Sequence, residues 1–213
     1  MNAGTSVVAI VLRCPECGVE LAGLDADQAW ACPSCGNAWE VEGDRLAPRP
    51  YRVWALGAEG VVAHLPFWRI ECTADVVSDD PAARAAAEAA AAAGRVWVRA
   101  FGLRAAFAVG DPGEMLTFAA HAERIERGPL PVCVGARIGS REAVRIAELL
   151  ILARADREVD VSPVTLRLDV REIALVAIPY VDAGPDLACA ADGRSFRKSA
   201  FPDCEAILAA ARR

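Results

Sequence analysis

Two short motifs, Cys14-Pro15-Glu16-Cys17-Gly18 and Cys32-Pro33-Ser34-Cys35-Gly36, hold the side chains best suited to chemistry in this chain. In each, two residues separate the thiols, so one tight turn aims both sulfurs at a single ion. The glycine after each second cysteine lets the backbone fold back until its N–H groups approach the sulfurs. Fourteen residues lie between Cys17 and Cys32. Together Cys14, Cys17, Cys32 and Cys35 supply four thiolates, the donor set of tetrahedral zinc with Zn–S near ~2.3 Å. Four thiolates close the coordination shell, so the expected metal role is structural and not catalytic. Iron takes the same ligands, and ligand type alone does not separate the two metals. Trp30 precedes the second motif and Trp39 follows it. Their indoles are expected to cover the site and to form a core too small to fold without metal.

Residues 12 to 46 resemble the zinc ribbon family, with knuckles of the rubredoxin type. The resemblance rests on both half-motifs and on the trailing aromatics. It implies short antiparallel strands and a metal role for Cys14, Cys17, Cys32 and Cys35. It implies no single activity, because ribbons occur in transcription, translation, enzymes and scaffolds. The stretch between the knuckles is shorter than in rubredoxins, which favours zinc over iron.

Other reactive side chains are scattered. Cys72, Cys133, Cys189 and Cys204 are single cysteines in apolar surroundings, where a thiol behaves as a small buried hydrophobe. His64 and His121 are the only histidines, and neither sits in a triad-like motif. His121 falls on the polar side of an expected helix, and His64 lies in an expected strand. The chain has no Gly-x-x-x-x-Gly-Lys loop, no dinucleotide fingerprint, no Gly-x-Ser-x-Gly elbow and no His-Glu-x-x-His helix. No enzyme class is supported. If a pocket exists in the larger domain, His64 and Cys72 are the first residues to test.

Composition narrows the partners. The 213 residues are 54% hydrophobic, enough for a sizeable core, and the net charge of −6 repels a phosphate backbone unless arginines concentrate locally. The most apolar helical run, Ala143 to Ala155, is broken by Arg145, Glu148 and Arg154, so no membrane span is expected. The apolar run from Val7 to Leu12 lacks a basic stretch before it, so no secretory signal is expected either. Paired cysteines without a signal point to metal in a reducing cytoplasm and not to disulfides.

The organisation that must position these residues is an α+β chain in three parts. Residues 1–46 form the zinc ribbon, 47–50 (Ala-Pro-Arg-Pro) a stiff linker, and 51–213 a mixed, largely antiparallel sheet with helices. Strands are expected at Val53–Leu56 and Val61–Val77, with Pro66 at an edge or bulge. The alanine-rich run Pro81–Ala93 reads as a helix with too little apolar bulk to dock firmly. A strand follows at Arg95–Phe101. Asp111, Pro112 and Glu114 start a helix whose apolar face runs Met115, Phe118, Ala119, Ala122 and Ile125. Val132–Ile138 is an expected strand, and Ser140 an expected cap of a helix to Ala155. Val164–Arg171 alternates as a half-buried strand, and Glu172–Val181 is apolar enough to be central. Asp192-Gly193 makes a hairpin turn, and Asp203 caps a final helix. The Pro-aromatic pairs Pro66-Phe67 and Pro179-Tyr180 echo each other.

By subtraction, the sequence predicts a structural-zinc protein acting as a protein-binding adaptor or complex subunit. A nucleic-acid factor is the alternative, which requires Arg95, Arg99, Arg137, Arg141 and Arg145 to converge. Aromatic and basic residues also interleave at Phe67-Trp68-Arg69 and Arg95-Val96-Trp97-Val98-Arg99, either as an exposed binding face or as a strand under a helix.

Overall fold

The computed structural model describes residues 11–21, 23–24, 26–54, 59–104, 111–118, 125–126, 135–190, 192–202 and 204–211. His121, Cys133 and Asp203 lie outside these residues, as do 55–58, 119–124 and 131–134. The fold is α+β with mostly antiparallel sheets, as the residue pattern predicts.

The N-terminal sheet has three strands, β1 (Ala29–Ala31), β2 (Ala38–Glu42) and β3 (Arg45–Arg49), in that order. Ala47, Pro48 and Arg49 therefore belong to a strand instead of a connector, with Pro48 opposite Trp39. Pro48 is tolerated because β3 is an edge of this sheet.

The second sheet is built on two long partners, β5 (Val61–Val77) and β8 (Thr165–Ala183), antiparallel from Val77↔Thr165 to Val61↔Val181. Beside them lie β4 (Tyr51–Trp54), β6 (Arg95–Arg99), β7 (Ile125–Glu126), β9 (Asp186–Cys189) and β10 (Ser195–Arg197). β4 is parallel to β8, and this pairing makes the sheet mixed. The two expected strands around Glu172 are one. Among the described residues, its first half has only β5 beside it, and its second half lies between β5 and β4 or β9, which explains the change from alternating to continuously apolar sequence.

Pro66 is buried inside this sheet, and the bulges fall elsewhere, at Val61/Ala63 and Glu71/Cys72. Its carbonyl faces the β6 side, where it accepts from Ala100 N at 2.9 Å. The missing N–H is thus on the side where β6 has ended. Pro179 is placed likewise, its carbonyl accepting from Ala190 N at 2.9 Å. The two Pro-aromatic segments oppose each other, and Phe67 and Tyr180 stack at 6.4 Å with an interplanar angle of 2°.

Both faces of the sheet are covered. On one, Trp68, Ile70, Val96, Val98, Leu175 and Ala177 pack under α3 (Ser140–Ala155). On the other, Leu65, Phe67, Trp97, Ile178 and Tyr180 meet Leu116 of α2 (Pro112–Phe118), Cys204 and Leu208 of α4 (Cys204–Ala211), and Phe196 of the β9–β10 hairpin. Trp68 and Trp97 are thus both fully buried, on opposite faces, and offer no exposed stacking surface.

The alanine-rich helix α1 (Pro81–Ala91) is firmly seated, contrary to the sequence expectation. Ala83 and Ala87 are fully buried, and α1 packs on α3 and β5. Methyl side chains let helix backbones approach closely, and α3 answers with buried Ala143 and Ala147. Asp80 caps α1 by accepting from Ala82 N and Ala83 N. At α2, Asp111 accepts from Gly113 N at 2.8 Å as the capping pattern predicts. Ile125, expected on that helix, instead pairs with Trp54 in β7.

Candidate metal centre and the groove beside it

The two knuckles fold alike. In the first, Gly18 N donates to Cys14 O and Cys14 N to Val19 O, both at 2.8 Å. In the second, Gly36 N donates to Cys32 O at 3.2 Å and Cys32 N to Asn37 O at 2.7 Å. Gly18 and Gly36 have φ of 74° and 77°, the left-handed conformation that glycine adopts without steric cost.

These turns bring all four sulfurs within 4.8 Å of one another. Cys14 Sγ and Cys35 Sγ stand 3.5 Å apart, and Cys17 Sγ and Cys32 Sγ 3.4 Å. A tetrahedron with Zn–S near ~2.3 Å has sulfur–sulfur edges of roughly 3.8 Å, so a small adjustment admits an ion. Cys14, Cys17, Cys32 and Cys35 are the only such cluster among the described residues.

The surroundings suit thiolates unequally. Burial raises the Cys14 thiol pKa, but the N–H groups of Cys17 and Glu16 more than offset this and hold it at about 7. Burial pushes Cys35 up to about 12, with the neighbouring sulfurs adding to the rise against the Asn37 N–H. Cys32 is also raised, chiefly by burial. Thiolates held this close repel one another, and a divalent cation relieves that repulsion.

Behind the sulfurs, Cys14, Leu21, Trp30, Cys32 and Trp39 form a small cluster of their own. Trp30 and Trp39 are directly paired across β1 and β2, the covering role the sequence predicts for them.

The module is anchored to the larger sheet by contacts remote in sequence. Ala29 and Ala136 form an isolated antiparallel bridge, with Ala136 N donating to Ala29 O at 2.7 Å. Asp27, 4% exposed, accepts from Leu24 N at 2.7 Å and lies beside Gly135. A Cβ at Gly135 would fall 2.0 Å from Asp27 Oδ2, so a larger residue there would displace the Asp27 side chain. Glu40, also 4% exposed, accepts from Ser140 N at 2.5 Å and pairs with Arg49 Nε at 2.6 Å. Burial alone would lower the Arg49 pKa, yet the Glu40 and Glu42 carboxylates raise it. Ser140 is therefore the first residue of α3 and not its cap. A carboxylate from β2 takes that place, favoured by the positive end of the helix dipole.

Beside this junction runs a groove of about 900 Å³, lined by Arg45 and Glu42 from the N-terminal module and by Arg137, Arg141, Glu142 and Arg145 from the larger domain. Three of the five arginines that the sequence pairs with nucleic-acid binding thus converge. Arg99 does not, being paired with Asp111 at 2.8 Å, and Arg95 is also outside the groove lining.

Comparison with known proteins returns no matching family model, no curated relative and no similar solved structure.

The remaining candidates read as packing residues. His64 is half-buried opposite Pro179, and burial lowers its pKa. Cys72 is buried, and its thiol is pushed up by that burial despite nearby Arg171, which leaves little thiolate to react. Cys189 and Cys204 belong to the second core cluster. Neither His64 nor Cys72 lines the groove. Sequence reasoning missed Glu40 and Asp27, which read there only as part of an acidic module. No helix among the described residues is long and apolar enough to cross a membrane.

Proposed function

We propose that the chain is a cytoplasmic structural-zinc protein that works as a protein-binding adaptor or complex subunit. Cys14, Cys17, Cys32 and Cys35 hold the ion, which cross-links two knuckles and neutralises thiolate charge. The observation that carries this reading is the closed ring of four sulfurs in a module docked on α3 through Glu40. With all four positions filled by protein, the metal has no site for a substrate.

Two measurements test it. Elemental analysis of protein purified without added metal is expected to give one zinc per chain. Iron in its place, or no metal, overturns the zinc assignment. A tagged pull-down from the native host, with and without nuclease, is expected to retain one stoichiometric protein partner. Nucleic acid co-purifying, with partners lost on nuclease treatment, favours the second reading, a nucleic-acid factor. The convergence of Arg137, Arg141 and Arg145 supports that alternative, and the acidic net charge of −6 weighs against it.

A further inference from the structure

Three of the groove's guanidiniums are available for recognition in a way that several others among the described residues are not. Arg49, Arg69, Arg99 and Arg157 are committed to carboxylates. Arg45, Arg141 and Arg145 are exposed and enter no ion pair among the described residues. They line the groove together, Arg45 from β3 and the other two from α3. The N–H of Ser140 is already taken by Glu40, so side chains and not the helix end are the binding groups.

We infer that this groove binds an extended acidic peptide segment of a partner protein, with carboxylates at alternate positions, a conclusion that rests on the protein-binding function proposed above. Arg141 and Arg145 are four residues apart on α3, which places them roughly 6 Å apart along its axis. In an extended peptide, side chains on one side recur at roughly 7 Å. Two acidic residues separated by one neutral residue therefore match the two guanidiniums, each able to engage a carboxylate through paired N–H donors. Arg45 stands ready for a third.

Glu42 and Glu142 in the same walls decide between acidic ligands. A strand of phosphates carries charge at every unit and meets these carboxylates unfavourably. A peptide sets neutral residues and backbone N–H groups against them. No aromatic side chain lines the groove among the described residues, so bases have no platform to stack on. The stretches outside the described residues carry only Asp25, Glu123 and Asp203 as acids, so none of them supplies such a segment.

The test uses the full metal-loaded chain and a fluorescein-labelled short peptide of alternating Glu and Gly, followed by anisotropy at low salt. The wild type is expected to bind it, and a Gln-Gly peptide of equal length is not. Arg141→Glu and Arg145→Glu are each expected to weaken binding roughly tenfold or more. Arg84→Glu on α1, outside the groove, makes the same charge change and is expected to leave binding intact. Equal loss in the Arg84 variant reduces the effect to net charge and overturns the proposal. So does tighter binding of an oligothymidylate of matched charge, or no binding of the acidic peptide. A host partner retained equally by wild type and both groove variants sinks the groove assignment while leaving the adaptor reading standing. Circular dichroism and zinc content of each variant guard against misfolding.

Discussion

Glu40 joins the two halves of the molecule through Ser140 N, and its removal has a calculable cost. Its carboxylate is 5% exposed, accepts from Ser140 N and pairs with an Arg49 side chain that is 19% exposed. Glu40→Ala deletes a helix-start acceptor, a loss of about 1 kcal/mol. It also leaves Arg49 with Glu42 as its remaining acidic partner. Breaking a fully buried pair costs roughly 3–5 kcal/mol. Arg49 is partly solvated and keeps that second carboxylate, so we assign about 2 kcal/mol to this loss. The total is about 3 kcal/mol for Glu40→Ala. Glu40→Gln keeps the shape and an acceptor for Ser140 N, so about 1–2 kcal/mol is expected. Glu42→Gln touches a pair whose carboxylate is 38% exposed and should cost no more than about 1 kcal/mol. Urea unfolding of the metal-loaded protein, followed by far-UV circular dichroism and tryptophan fluorescence, ranks the three. If both Glu40 variants fall within ~0.5 kcal/mol of wild type, the range of ordinary surface changes, the carboxylate is not the clamp described here.

Three further outcomes follow from other sites. Cys17→Ser, or a strong chelator, is expected to remove the metal and destabilise the N-terminal module, because structural zinc supplies on the order of 10 kcal/mol to such modules; unchanged tryptophan emission from Trp30 and Trp39 after chelation contradicts this. Gly113→Ala places a Cβ 2.6 Å from Trp97 O and 2.9 Å from Arg99 N, backbone atoms that cannot swing aside, so a loss of about 2–3 kcal/mol is expected, and a melting temperature equal to wild type rules it out. Burial lowers the pKa of His64 in the fold, so below its unfolded value near ~6.5 the unfolded chain binds the extra proton and stability falls with pH. The difference in unfolding free energy between wild type and His64→Gln should therefore shift against wild type from pH 7.5 to pH 5.5, and a pH-independent difference refutes it.

The four-cysteine cluster was legible because it is written in local spacing: each Cys-x-x-Cys-Gly contains its own turn. The hairpin around Asp192-Gly193 was legible for the same reason, with Asp192 accepting from Arg194 N at 3.0 Å. The anchoring contacts were not. Glu40 and Ser140 are 100 residues apart, and nothing near Glu40 distinguishes it from the solvated Glu42. Long-range fit also defeated the reading of α1, since alanines look weak until a second helix presents alanines in return. Pro66 misled differently. A proline in a strand suggests an edge, but its cost depends on which neighbour the missing N–H would have faced, and that is set by where β6 ends.

These contacts give a metal bound as proposed an influence wider than its position. Among the described residues, the cluster behind the sulfurs has Cys14, Leu21, Trp30, Cys32 and Trp39 as its buried members, little apolar surface for holding three short strands. The same three strands carry Glu40, Arg49 and Arg45, which close the start of α3 and form one wall of the groove. An ion at the four sulfurs therefore acts on α3 through the strands that it holds in register, without touching the groove. If the proposed ion is held there, its loss is expected to remove Arg45 from the groove's wall and the acceptor from Ser140 N in one step. On this account a structural metal is a condition for binding although no ligand approaches it, and a module with negative charge in excess still contributes a cation where the groove requires one.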